Sequence, residues 1–205
     1  MDKVSTKKLN SEQWKYTNSD IFKNFNLNFN PTSKVLKQKC NLNEIIIYNG
    51  RATQYGENIK NDKIQIHNIY DALDKNINNF KKIFNTISPE TQDLYFNHNT
   101  SNYSAGYYLY IPKNLTPGYV ITIKNIISEG SKEAFSNYRN FIYCDENVKA
   151  TILNEEIFPI NQCINIACET YVNKNAQLEI INHSEKPKTK QIYNFSACID
   201  ENSKL

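Results

Sequence analysis

A mostly β fold is predicted by three observations. Short strand-like runs recur from Gly106 to Leu205 at near-even spacing, turn residues separate them, and no stretch between them carries the three- and four-residue apolar period of a helix. The runs are Tyr107-Tyr-Leu-Tyr-Ile111, Tyr119-Val-Ile-Thr-Ile123, Phe141-Ile-Tyr-Cys144, Ala150-Thr-Ile-Leu153, Cys163-Ile-Asn-Ile-Ala-Cys168, Gln177-Leu-Glu-Ile-Ile181 and Gln191-Ile-Tyr-Asn-Phe-Ser-Ala-Cys-Ile199. Such an array suits a sandwich, a barrel or a β-solenoid, and periodicity alone does not choose among them.

The first ten residues are polar, and order is expected from Trp14 onward. The block Glu12-Gln-Trp-Lys-Tyr-Thr17 precedes Ile21, Phe22 and Phe25 at helical offsets, which predicts a short helix or irregular cap ended by Pro31. Glu44-Ile-Ile-Ile-Tyr-Asn-Gly50 reads as a strand closed by the turn dipeptide Asn49-Gly50. Lys63-Ile-Gln-Ile-His67 alternates apolar and polar side chains, as a strand that could pair with it. Ile69, Leu73, Ile77, Phe80, Phe84 and Ile87 recur at three- and four-residue steps, so one helix is predicted from a cap at Asn68 to a stop at Ser88-Pro89, its apolar stripe on the sheet. From Asp93 to Gly106 a polar bridge is expected, and then the array begins. Its turns are signalled at Pro117-Gly118, Ser128-Glu-Gly130, Asp145-Glu-Asn147, Asn173-Lys-Asn175 and Asp200-Glu-Asn202.

The 205 residues suit one domain, or a domain with a small appendage. A 40% hydrophobic fraction supports a core, although the mean hydropathy of −0.64 is low because Asn and Lys fill the polar surface. A net charge of +3 with scattered lysines argues against a nucleic-acid partner. Lys7-Lys8, Lys81-Lys82 and Lys186-Pro-Lys-Thr-Lys190 read as solvated turns and edges. No apolar stretch follows Met1 and none approaches the roughly 20 apolar residues of a membrane span. The expectation is a soluble, cytoplasmic chain with no membrane partner.

No motif carries a reaction. Five glycines leave no phosphate-binding loop. The cysteines, Cys40, Cys144, Cys163, Cys168 and Cys198, are odd in number, which argues for reduced thiols. Cys163 and Cys168, five apart, should point to opposite faces of one strand, without metal-ligand spacing. His67, His98 and His183 lie far apart in sequence, with no Cys, Ser or carboxylate at triad spacing. In Glu155-Glu156 one side chain is expected to point inward, as chance rather than as an acid and base pair. No catalytic, cofactor-binding or metal-binding residue is assigned.

Taken in order, several blocks resemble the SufD branch of the SufB/SufD family, the scaffold subunits of the SUF iron–sulfur cluster assembly machinery. Glu12-Gln-Trp-Lys-Tyr-Thr17 is similar to a tryptophan-centred block, and Ile47-Tyr-Asn-Gly-Arg51 to the strand-turn piece after it. Tyr107-Tyr-Leu-Tyr-Ile-Pro-Lys113 resembles the family's entry into its β-helix. Asn137-Tyr-Arg-Asn-Phe-Ile-Tyr143, Asp145-Glu-Asn-Val-Lys-Ala-Thr-Ile152 and Asn175-Ala-Gln-Leu-Glu179 are similar to three successive coils.

The resemblance implies a right-handed parallel β-helix (β-solenoid) preceded by a small N-terminal α/β region, divided as 1–92 and 93–205, with the second part a partial β-helix core. It implies a non-catalytic scaffold that pairs with a SufB-like subunit and a SufC-like ATPase, the iron–sulfur cluster sitting transiently on the assembled complex and not on this chain. Family members are about twice as long, so the chain reads as truncated at the C-terminus, and the family's cluster-building histidine and cysteine have no counterpart here. The alternative expectations are a β-solenoid that binds or cleaves carbohydrate, and a degenerate SufD remnant without function.

Overall fold

The computed structural model describes residues 39–88, 94–128, 135–158, 163–184 and 189–205. The Trp14 block and the predicted helix or cap before Pro31 lie outside the described residues. The elements are β1 (Glu44–Tyr48), β2 (Arg51–Tyr55), α1 (Glu57–Asn61), β3 (Gln65–Asn68), α2 (Ile69–Asp74), a 3-10 segment (Ile77–Lys82), α3 (Leu94–Asn102), β4 (Tyr107–Ile111), β5 (Ile121–Ile126), β6 (Phe135–Cys144), β7 (Lys149–Ile157), β8 (Cys163–Val172), β9 (Gln177–Ser184) and β10 (Lys190–Ile199). The chain is mostly β. Each of the seven runs predicted after Gly106 overlaps a strand, several of them longer than predicted, while the Tyr119 run becomes a strand only at Ile121.

The strands form two five-stranded mixed sheets, one in the order β2-β1-β5-β7-β9 and the other β10-β8-β6-β4-β3. From β4 onward each successive strand falls in the opposite sheet, and each pairs in parallel with the strand two places later. Phe135 lies opposite Cys163 and Cys163 opposite Lys190, while Ala150 lies opposite Leu178, so the chain returns to the same column every 27 or 28 residues there. Among the described residues antiparallel pairing is confined to β1 with β2 and β3 with β4. Strands β1 and β3 are hydrogen-bonded into the two sheets, β1 on β5 and β3 on β4.

The expected pairing of the Glu44 and Lys63 runs is not found, because they lie in different sheets. Asn49 and Gly50, at φ 50° and 75°, fold β1 back onto the polar run Arg51–Tyr55, as a tight hairpin turn with two left-handed residues does. The predicted helix from Ile69 to Ile87 is also broken. It is α-helical only to Asp74, the 3-10 segment Ile77–Lys82 that follows is interrupted by non-helical Asn78 and Asn79, and Asn76, Asn78, Asn79 and Asn85 have φ of 48–60°. Asparagine tolerates this left-handed geometry, so a run of them ends a helix that the apolar period would continue. Asn68 makes no capping bond; its Oδ1 accepts from the Ala52 amide at 3.1 Å. In the expected polar bridge, α3 forms instead. Its buried Tyr95 and Phe96 are adjacent and make no helical stripe, and the helix is seated by Asn99, whose Nδ2 donates to the carbonyls of Tyr138 (3.0 Å) and Asn165 (2.9 Å).

Apolar side chains fill the space between the sheets, among them Ile45, Leu109, Ile123, Ile142, Cys144, Ile152, Cys168 and Val172. Strand β5 alternates buried and half-buried residues along its length. Strands β6 and β8 are buried on both faces, since α2, the 3-10 segment and α3 pack outside their sheet. Gly106 sits where β4 enters that sheet; a Cβ there would lie 1.7 Å from the Arg139 carbonyl oxygen.

The turns stack as well. Asn114, Asn147, Asn175 and Asn202 all have φ of 57–63°, and the Asn147 Nδ2 donates to Asn114 Oδ1 (2.8 Å) as Asn175 Nδ2 does to Asn147 Oδ1 (3.3 Å). The backbone repeats the relation: the amides of Asn114, Asn147 and Asn175 donate to the carbonyls of Glu146, Lys174 and Glu201. Beside this column Lys113 pairs with Glu146, and Lys174 with Glu201 at 3.7 Å.

Candidate functional site

Burial drops sharply at one side of the strand ladder. Nine of the ten residues of β8 are buried, whereas none of β10 is, and β9 keeps one buried residue, Leu178. The register places Tyr193, Phe195, Ala197 and Ile199 opposite Ile166, Cys168, Thr170 and Val172, so they belong to the inward face. Phe195 and Ile199 are nevertheless 42% and 49% exposed, and Ile181 on β9 is 45% exposed. Among the described residues β10 pairs on one side only, with β8, and the free side of β9 is met at its start by Lys204, whose carbonyl accepts from the Leu178 amide at 3.0 Å. A strand such as β10, which from Ile192 to Ile199 has a strand neighbour on one side only among the described residues and carries half-exposed apolar side chains, is a template for another strand.

Behind this edge the interior turns polar. Asn125, Asn154 and Asn182 form a side-chain ladder, with Asn154 Nδ2 donating to Asn182 Oδ1 at 3.0 Å. Buried Glu156 accepts from Gln191 Nε2 with both carboxylate oxygens at 3.0 Å. Of the pair Glu155-Glu156 one side chain therefore points inward, as expected, and the two diverge. A cavity of about 10 Å³, lined by Asn125, Tyr138, Asn140 and Ile166 among others, has the room of about one water molecule.

The three buried thiols are held protonated. Burial pushes Cys168 up to about 11, and Cys144 and Cys163 up to about 12, away from the thiolate that nucleophilic or metal chemistry needs. Cys163 and Cys168 lie on opposite faces of β8, in separate apolar clusters. All five cysteines are free thiols. His67 lies on β3, His98 on α3 and His183 on β9. His98 Nδ1 is 3.3 Å from Asn137 Oδ1, its ring edge-on to Phe135, and burial pulls its pKa down as it does that of His67. Among the described residues no group of three His, Cys, Asp or Glu side chains could hold a metal ion, and no helix is long and apolar enough to cross a membrane.

Sequence reasoning missed two constellations on the outer face of the β10-β8-β6-β4-β3 sheet. One is the fully buried pair Arg139–Glu169, 3.0 Å apart. The other is the stack of Tyr110, Tyr143 and Tyr171, with ring centroids 5.7 and 5.3 Å apart. The 28-residue return would have revealed the second, since Tyr143 and Tyr171 occupy one column. No family model matches this chain, and no curated protein matches it.

Proposed function

We propose that the chain is a non-catalytic, SufD-like scaffold of SUF iron–sulfur cluster assembly, built on a right-handed parallel β-helix whose β9–β10 edge pairs with a SufB-like subunit. The observation that carries the reading is the alternation of parallel strands between two sheets at a return of 27 or 28 residues, which is how the coils of such a helix follow one another. The right hand is the one that nearly all parallel crossovers take.

The blocks that resemble the family fall on strands and on the turns that lead into them. Ile47–Arg51 spans the β1–β2 hairpin, Tyr107–Lys113 is β4 and its turn, Asn137–Tyr143 lies on β6, Asp145–Ile152 is a stacked turn with the start of β7, and Asn175–Glu179 is the next such turn with the start of β9. In this reading a SufC-like ATPase supplies the energy, the cluster forms transiently on the assembled complex, and this chain contributes surface rather than ligands. The sheet edge then serves as the docking element, because main-chain pairing along Ile192–Ile199 would give affinity while Phe195, Ile199 and Ile181 give apolar burial.

Co-expression of the tagged chain with the SufB-like and SufC-like proteins of its source tests this. Stoichiometric co-purification, lost in an Ile199→Lys variant, is the expected outcome. A chain that folds cooperatively but passes both partners by would overturn it, and binding to a glycan panel instead would favour the carbohydrate-binding alternative.

A further inference from the structure

Residues 76–88 cross the outer face of a sheet as a thin band. Of their side chains only Phe80 is buried. Its ring stacks on Tyr108 at 4.3 Å and meets Phe141 edge-on at 5.0 Å. Tyr108, Phe141, Glu169 and Ser196 are register partners on β4, β6, β8 and β10, so the band runs down one column of side chains across four strands.

Its second anchor is one carboxylate. Glu169, fully buried, accepts from three band amides: Asn85 at 3.1 Å, Ile87 at 3.2 Å and Ser88 at 3.0 Å. Arg139 Nη2 donates both to Glu169 Oε2 (3.0 Å) and to Asn85 Oδ1 (2.7 Å). Ser88 Oγ reaches Ser196 Oγ on β10 at 2.8 Å. Against these anchors stand four residues in left-handed geometry, Asn76, Asn78, Asn79 and Asn85, each of which favours the unfolded chain relative to a helical residue.

We propose that residues 76–88 form a releasable strap, latched by Glu169, that opens as a unit while the strands beneath stay paired, and whose opening bares the aromatic face of Tyr108 and Phe141. Few buried side chains and a single shared acceptor are the marks of a segment at the low end of local stability. The sheet below is set apart by its own ladders, which do not pass through the strap. Because Ser88 touches β10, closing the strap also steadies the exposed edge strand. This coupling is independent of which partner, if any, docks there.

Hydrogen exchange of the full chain, read by mass spectrometry, tests the latch. Ile87→Pro deletes one amide donor and leaves the Arg139–Glu169 pair in place. The expected result is about tenfold faster exchange across 76–88, with peptides covering β4 and β6 unchanged. Since a proline can perturb its neighbours, the double variant Arg139→Met/Glu169→Gln approaches the latch from the sheet side and should accelerate the same segment most. Equal acceleration of β4 and β6 in both variants would make Glu169 a keystone of the whole core. A strap that exchanges as slowly as β6 in the unaltered chain and in both variants would equally overturn the proposal.

Discussion

Arg139 is fully buried beside Glu169, between the rings of Phe96 (4.8 Å) and Phe84 (5.6 Å). Replacing it by Met keeps much of the side chain's apolar packing but leaves the carboxylate buried with amide donors and no cation. Breaking a buried pair from one side costs about 3–5 kcal/mol. In a chain of this length each kcal/mol moves the melting point by roughly 2–4 °C, so the loss should be about 6–20 °C. Burial itself pulls the Arg139 pKa down while the Glu169 charge holds it up, which places the guanidinium's stability in its partner. The measurement is urea denaturation of Arg139→Met, Glu169→Gln and the double variant. Interacting residues in one network couple by about 0.5–3 kcal/mol, so the double variant should be less destabilised than the sum of the singles. An Arg139→Met variant within about 1 kcal/mol of the unaltered chain, or strict additivity, would refute the reasoning.

Two further outcomes follow from the turns and the histidines. At Asn147, φ 58°, an alanine should cost about 1–2 kcal/mol from left-handed strain in addition to the two ladder bonds with Asn114 and Asn175, while glycine loses the two bonds alone, so urea midpoints should fall in the order Asn, Gly, Ala. His98 and His67 have folded-state pKa values below 6.5 because burial disfavours their charged forms. Below pH 6.5 the unfolded chain therefore binds more protons than the folded one, and stability should decline as pH falls from there through the lowered folded values; thermal melts of His98→Asn should show a shallower decline.

Much of the strand array was legible because each run is short, rich in β-branched and aromatic residues, and bounded by Asn, Asp and Gly in turn positions. Asp145-Glu-Asn147, Asn173-Lys-Asn175 and Asp200-Glu-Asn202 announce turns that do stack, each with its final Asn left-handed. The opposite held for the segment after Asn68. There the apolar period is sound, but asparagine's tolerance of positive φ overrides it, and the residues Ile77, Phe80 and Phe84 are used by a band rather than a helix. Strand β2, with its polar sequence Arg-Ala-Thr-Gln-Tyr, has no apolar alternation of its own and exists because the Asn49-Gly50 turn lays it against β1. Helix α3 likewise depends on contacts, through Asn99, with strands 39 and 66 residues away.

The amino-acid sequence by itself determined a mostly β chain and its local turn geometry, since propensity, alternation and left-handed asparagines act within a few residues. Only the tertiary structure decided which strands are neighbours, that Arg139 meets Glu169 beneath residues 85–88, and that Phe195 and Ile199 on β10 are left half exposed. Those facts rest on pairing across some 28 residues, where the energy lies in burial and register that no local pattern encodes.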